Sequence, residues 1–166
     1  HIPLLSIVTL PLVLGWKYPN IFTPVHVIFL ELVMGPTCSI VYENEPMEKN
    51  LMTQKPRKLS AELFTWKELS MSTLQGLVIT CGLLFVLYFA IHSSLDEKCA
   101  RAMVFTTLVF SNVLLTFTGR SITYHLFITL RYKNNLIPGL TSATLCILAL
   151  SLYYPPAQSV FSFSPL

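Results

Sequence analysis

The chain has 166 residues, of which 53% are apolar and only 11% charged, and a mean hydropathy of +0.62. That profile belongs to membrane proteins with several spans and excludes the soluble enzyme classes. The net charge is +3 at neutral pH and no basic run is interleaved with aromatic residues, which argues against nucleic acid as a partner. The expected fold is all-α, a polytopic bundle of membrane helices.

Residues 1–16 are apolar but fall short of the roughly 20 residues that cross a bilayer, so they read as the exit half of a longer helix. The chain opens on His1 without a Met, and the stretch has no basic leader or small-residue cleavage site, so a piece of a longer protein is expected. Pro3 and Pro11 disturb this helix, and Pro11 frees the carbonyl of Ile7. His1 stands open between two roles, interhelical hydrogen-bond donor and ion ligand. Lys17 to Asn20 form a turn flanked by Trp16 and Tyr18, residues of an interfacial aromatic belt. Thr23-Pro24 then gives an N-cap and a first helical residue, opening a second helix over 22–42 in a tight hairpin with the first.

That second helix contains Phe29-Leu30-Glu31-Leu32-Val33-Met34-Gly35-Pro36, in which a carboxylate precedes a helix-breaking pair. A carboxylate in hydrocarbon costs about 2.5 kcal/mol or more on insertion scales, so an acid at this depth faces a polar cavity or a partner. Pro36 has no N–H for the carbonyl of Leu32, and it turns Gly35 away from helical dihedrals. Freed carbonyls of Leu32 and Val33 beside Glu31 would form a hard oxygen site for a cation. The competing reading is a proline kink with Glu31 paired to a neighbouring helix for structural reasons.

The segment 43–69 is the most polar of the chain, and Thr65-Trp66-Lys67-Glu68 resembles a capping box launching a helix over 70–92. Gly76 and Gly82 in that helix offer close approach to a neighbour. A short charged loop over Ser93 to Arg101 leads to a span at 102–119 bearing Asn112, either an interhelical hydrogen-bonding amide or polar support for the ion path. Residues 120–135 mix aromatic and apolar residues with Arg131 and Lys133, as an interfacial amphipathic segment does, before a last span at 136–154. Of the four cysteines, Cys38, Cys81 and Cys146 fall in spans and Cys99 in a loop, with no metal or redox spacing, so buried inert thiols are expected. Lys49, Lys55, Arg57, Lys58 and Lys67, with Arg120, Arg131 and Lys133, outnumber Lys17, Lys98 and Arg101 on the other side. The positive-inside rule therefore makes loop 43–69 cytoplasmic and turns residues 17–20 outward.

Thr23-Pro24-Val25-His26, Phe29 to Leu32, Gly35 through Pro46, and Lys55-Pro56-Arg57 resemble the C-terminal membrane region of bacterial cation-translocating P-type ATPases of the calcium-pump branch. The resemblance covers nearly the whole chain. It implies that 1–16 is the end of the fifth pump helix and that 22–42, 70–92, 102–119 and 136–154 are the sixth to ninth. It also implies a cytoplasmic loop between the sixth and seventh helices that meets the phosphorylation domain. The partners so implied are a transported cation, the pump's remaining helices and cytoplasmic domains, and the bilayer. ATP and Mg2+ would serve the parent, whose phosphorylated Asp-Lys-Thr-Gly-Thr loop and nucleotide-binding region are absent here, so the fragment alone has no catalytic residue and no cofactor.

In calcium pumps the sixth helix contributes an Asn, a Thr and an Asp to the ion, and the fifth an Asn and a Glu. By the resemblance Glu31 takes the Asn position, Met34 the Thr and Gly35 the Asp, while His1 and Leu4 take the fifth-helix positions. Related bacterial sequences often carry Asp-Pro where this chain has Gly35-Pro36. The heavy-metal branch is disfavoured, since its Cys-Pro-Cys is replaced by Pro36-Thr37-Cys38. A high-affinity calcium site assembles several oxygen ligands, and this chain retains one carboxylate of the set. Two functions follow as alternatives: the ion-binding, translocating part of an ATP-driven cation pump, or a membrane scaffold without an ion site.

Overall fold

The structure, a computed structural model, describes residues 2–44, 66–119 and 136–164, which are helical with no strand among them. His1, Thr65, the amphipathic segment at 120–135 and most of the polar loop at 43–69 lie outside the described residues. The elements are α1 (Ile2–Val13), α2 (Pro24–Phe29), a π-helical turn (Leu30–Met34), α3 (Gly35–Glu43), α4 (Trp66–His92), α5 (Glu97–Thr118), α6 (Leu136–Tyr153) and α7 (Pro155–Phe161). Within α4, α5 and α6, the segments Glu68–His92, Glu97–Thr118 and Leu136–Tyr153 are long and apolar enough to cross a membrane. The fourth expected span, over 22–42, is helical from Pro24 to Glu43 and built in three pieces around the π turn. At about 1.5 Å per residue it has the reach of a bilayer core.

α5 is the hub. Arg101, Val104, Phe105 and Leu108 recur at helical spacing and are all buried, forming one stripe against the rest of the bundle. α4 and α6 pack on α5, and α3 lies against α6. α1 lies along α4, not in the expected hairpin with α2. An added Cβ on Gly76 would sit 3.1 Å from the Cβ of Ile2, so this glycine supplies the close approach expected of it, whereas Gly82 has nothing within 4 Å. Some threonine hydroxyls donate back to carbonyls four residues earlier, as Thr80 does to Gly76 and Thr107 to Met103, so these need no partner in lipid.

Three helices end on left-handed residues. Gly15, Ser94 and Ser162 have φ of 65°, 54° and 51°, each followed by an N–H reaching five residues back: Trp16 to Pro11, Leu95 to Ala90 and Phe163 to Gln158. This Schellman geometry satisfies the last carbonyls and turns the chain sharply. All three turns sit at one end of the bundle, which we call the distal end. Tyr18 donates there to the carbonyl of Leu95 at 2.9 Å, and Arg101 bonds both Ile21 and Ser162. Arg101 and Cys99 therefore belong to α5 and not to the expected charged loop, which shrinks to 93–96. At the opposite, proximal end, Gly119 leaves room for the Tyr42 hydroxyl, 2.6 Å from where a Cβ would stand. Cys81 and Cys146 are exposed on helix faces, contrary to the expected burial.

Candidate functional site

Thr23 caps α2 and Pro24 occupies its first turn, as the sequence predicts. Six residues into the helix the backbone widens: Leu30–Met34 form a π turn, and α-helix resumes at Gly35 with φ −60° and ψ −61°. The expected break at Gly35-Pro36 is thus not an unwound segment. The proline ring crowds the carbonyl four residues back, and a widened turn relieves that clash without leaving the helix. In a π turn a carbonyl looks five residues on for its donor, so Pro36 denies a donor to Glu31 as well as, in α geometry, to Leu32. Val33 looks to residues 37 and 38, both of which carry an N–H.

The π turn also fixes which way side chains leave the helix. Leu30 is buried against the core, while Glu31 and Leu32 are exposed, Leu32 at 69%. Glu31 therefore stands on an exposed face of the helix. Among the described residues no three His, Cys, Asp or Glu side chains group closely enough to hold a metal ion. This chain's share of any cation site is a single carboxylate with backbone oxygens.

Asn112 is half-buried on α5, and its carbonyl accepts the Thr116 hydroxyl at 2.9 Å. Phe105, seven residues earlier, packs on Phe22, His26 and Phe29. α2 and α5 both leave the distal end, so a further 10 Å or so along α5 puts Asn112 at about the depth of the π turn. α5 touches that turn directly.

Two residues that sequence reasoning did not single out as site residues prove central to this end of the helix. His26 is fully buried. Its Nδ1 accepts the Thr23 backbone N–H at 3.1 Å and lies 2.7 Å from the Thr23 hydroxyl. Around the ring stand Phe22, Phe105, Phe161 and Phe163, with centroids at 5.1–5.6 Å. Arg101, also buried, donates from Nε to the carbonyl of Ile21 at 2.7 Å, from Nη1 to that of Ser162 at 3.2 Å, and from Nη2 to the carboxylate of Glu97. The available signal was a histidine three residues after an N-cap threonine, the N3 position of a capping box.

The family model described as "Cation transporting ATPase, C-terminus" matches residues 19–166. A calcium-transporting ATPase of Listeria monocytogenes is 28% identical over 152 residues, covering 91% of this chain and 17% of that protein. Calcium-transporting ATPase 1 of Lactococcus lactis is 28% identical over 156 residues, again 91% and 17%. Human calcium-transporting ATPase type 2C member 1 is 22% identical over 145 residues, 87% and 16%. The chain thus spans about a sixth of the length of these curated relatives. With apolar helices fit to cross a bilayer, and a family match over most of its length, this multi-pass membrane chain belongs to the C-terminal family of cation-transporting ATPases.

Proposed function

We propose that this chain supplies ion-binding, translocating helices to an ATP-driven cation pump, with Glu31 as the charged ligand. The observation that carries the reading is the π turn, which exposes Glu31 beside a proline that withholds backbone donors. π turns gather at functional sites because they re-aim side chains and carbonyls at little cost to the helix. Carbonyls of Glu31, Leu32 and Val33 lie on the same turn, His1 is a further candidate ligand from the sequence, and Asn112 adds polar support at the same depth. Hard oxygens of this kind suit calcium, magnesium or manganese. The other helices of the parent complete the site.

In the parent, ATP and Mg2+ drive phosphorylation in cytoplasmic domains outside these 166 residues. Loop 43–69 faces the cytoplasm and docks the phosphorylation domain. Reversing the charges of Lys55, Arg57 and Lys58 together slows phosphoenzyme turnover and leaves ion affinity intact. Unchanged turnover makes the loop a solvated linker.

The test of the ion site is Glu31→Gln in the full-length pump, which keeps volume and removes charge. Calcium, the cation named for the relatives, is the first probe, followed by manganese and magnesium. Cation-stimulated phosphorylation from ATP is expected to fall by about a hundredfold or more, as loss of a buried charged partner costs about 3 kcal/mol or more. Phosphorylation from inorganic phosphate, which needs no transported ion, persists. Survival of cation stimulation at unchanged apparent affinity returns Glu31 to a structural role and favours the scaffold.

A further inference from the structure

We propose that Gly35 decides which cation the site takes: it keeps the helix face above Glu31 clear of side chain, so the ion retains part of its water there and magnesium is preferred over calcium. This rests on the pump reading, with Glu31 as the charged ligand, and names the ion within it.

Glycine weakens a helix relative to alanine, so its presence in one calls for a reason. Gly15 turns the chain at φ 65°, Gly76 admits Ile2, and Gly119 admits the Tyr42 hydroxyl. Gly35 does none of these. Its φ of −60° and ψ of −61° suit any L residue, and nothing lies within 4 Å of where its Cβ would stand. Gly82 and Gly139 are open too, but no acid lies within a turn of either. Gly35 follows Glu31 by one turn on the same side of the helix, and both are exposed.

A Cα–Cβ bond in a helix tilts toward the N-terminus, so a side chain at position 35 would cover the turn before it. That turn holds the carbonyl of Leu32, to which Pro36 offers no N–H. The proline withholds a donor, and the glycine uncovers the oxygen. Ser39 is exposed one turn further on, and its Cβ leans back toward the space above Gly35, bringing a hydroxyl within reach of water there. The next acid on the helix, Glu43, lies about 18 Å along the axis from Glu31. This face therefore brings one carboxylate, backbone oxygen and room for water. Calcium takes about 6–8 oxygen ligands and gains affinity with their charge, whereas magnesium dehydrates reluctantly and is held through one or two carboxylates with several waters kept. The Gly35 face matches the second.

ATP-driven transport by the full-length pump in proteoliposomes, read by trapped magnesium or calcium indicators at fixed MgATP, tests this. The unsubstituted pump is expected to move magnesium and to need an excess of calcium over magnesium for half-inhibition. Gly35→Ala, whose methyl takes the place of a water, is expected to cut magnesium transport about tenfold and calcium transport less than about threefold. Its unfolding midpoint in mild detergent stays or rises, since alanine favours the helix. The proposal is overturned by half-inhibition of the unsubstituted pump at calcium below the magnesium concentration, or by equal loss of both ions in Gly35→Ala. A lowered midpoint overturns it too, by giving the space to another helix of the pump. Glu31→Gln separates the two readings. Calcium transport that outruns magnesium and is lost in Glu31→Gln ends this inference and leaves the pump reading standing, whereas transport that survives Glu31→Gln ends both.

Discussion

The His26 ring is enclosed, with threonine below, four phenylalanines about it and Arg101 tying the neighbouring segments together, while Val25 and Ile28 on the outer face of the same helix are exposed. Five residues on, Glu31 and Leu32 stand exposed on a widened turn. One helix is thus clasped at its distal end and left open at its charged centre. The difference shows how a transport helix keeps its fold while presenting an acid: stability is concentrated away from the residue that must change partners. Changes at the clasp are therefore expected to act on stability, and changes at the π turn on ion handling.

The largest stability effect is expected at Phe105, whose ring meets Phe22, His26, Phe29, Phe161 and Phe163. In lipid the transfer term is small, so Phe105→Ala loses mainly packing and costs about 3 kcal/mol, the low end for such deletions. Denaturant unfolding in mild detergent measures it. A cost under about 1 kcal/mol, typical of surface positions or small changes, would mean that the aromatic box does not hold the distal end.

Arg101→Met comes next. It keeps most of the side-chain length and removes the guanidinium, leaving the Ile21 and Ser162 carbonyls without their donor. A buried hydrogen bond to a charged group contributes about 1.5–3 kcal/mol; the Ile21 bond is of that kind, while the part-buried Ser162 bond at 3.2 Å and the half-exposed Glu97 add little, so about 2–3 kcal/mol is expected in the same measurement. Arg101→Lys recovers only part, because a single ammonium cannot reach in three directions.

These two residues also mark where sequence reasoning stops. Apolar length and charge distribution gave the order of the helices, and the cap at Thr23 and the close approach at Gly76 follow from local chemistry that any neighbour would satisfy. The clasp needs Phe22, His26, Phe105 and Phe161 to meet across long separations, and no local pattern encodes that meeting. Arg101 looked like a loop cation because charge in an apolar chain usually marks a boundary, and it does mark one, from inside the bundle. α7 escaped notice because Pro155-Pro156 signals an end as readily as a helix start. The site was legible in part: Glu31 and Pro36 stand out, but relief of the proline clash by a π turn is a choice of backbone geometry that composition does not decide.

Thr23→Ala tests the join between the two regions. It removes the hydroxyl beside Nδ1 but keeps the backbone N–H, so the cap weakens by about 1 kcal/mol. Gly119→Ala should cost a similar amount at the proximal end, since its Cβ displaces the Tyr42 hydroxyl. Denaturant unfolding in mild detergent reads both, and a loss under about 0.5 kcal/mol for Thr23→Ala would mean that the cap does not hold α2.

The smallest stability effect is expected where the functional one is greatest. Leu30 and Glu31 are adjacent, yet Leu30 is buried at 6% and Glu31 is exposed. Leu30→Ala removes a core side chain and costs about 2 kcal/mol or more, with no selective effect on ion affinity. Glu31→Gln preserves volume and hydrogen-bonding capacity, so the unfolding midpoint should stay within about 0.5 kcal/mol of the parent, as surface replacements do. Measured side by side, the two variants separate the faces of one helical turn: loss of stability without loss of ion response for the first, and the reverse for the second. If Glu31→Gln destabilises as strongly as Leu30→Ala, the carboxylate is part of the packing, and a site for the cation must be sought among the parent's other helices.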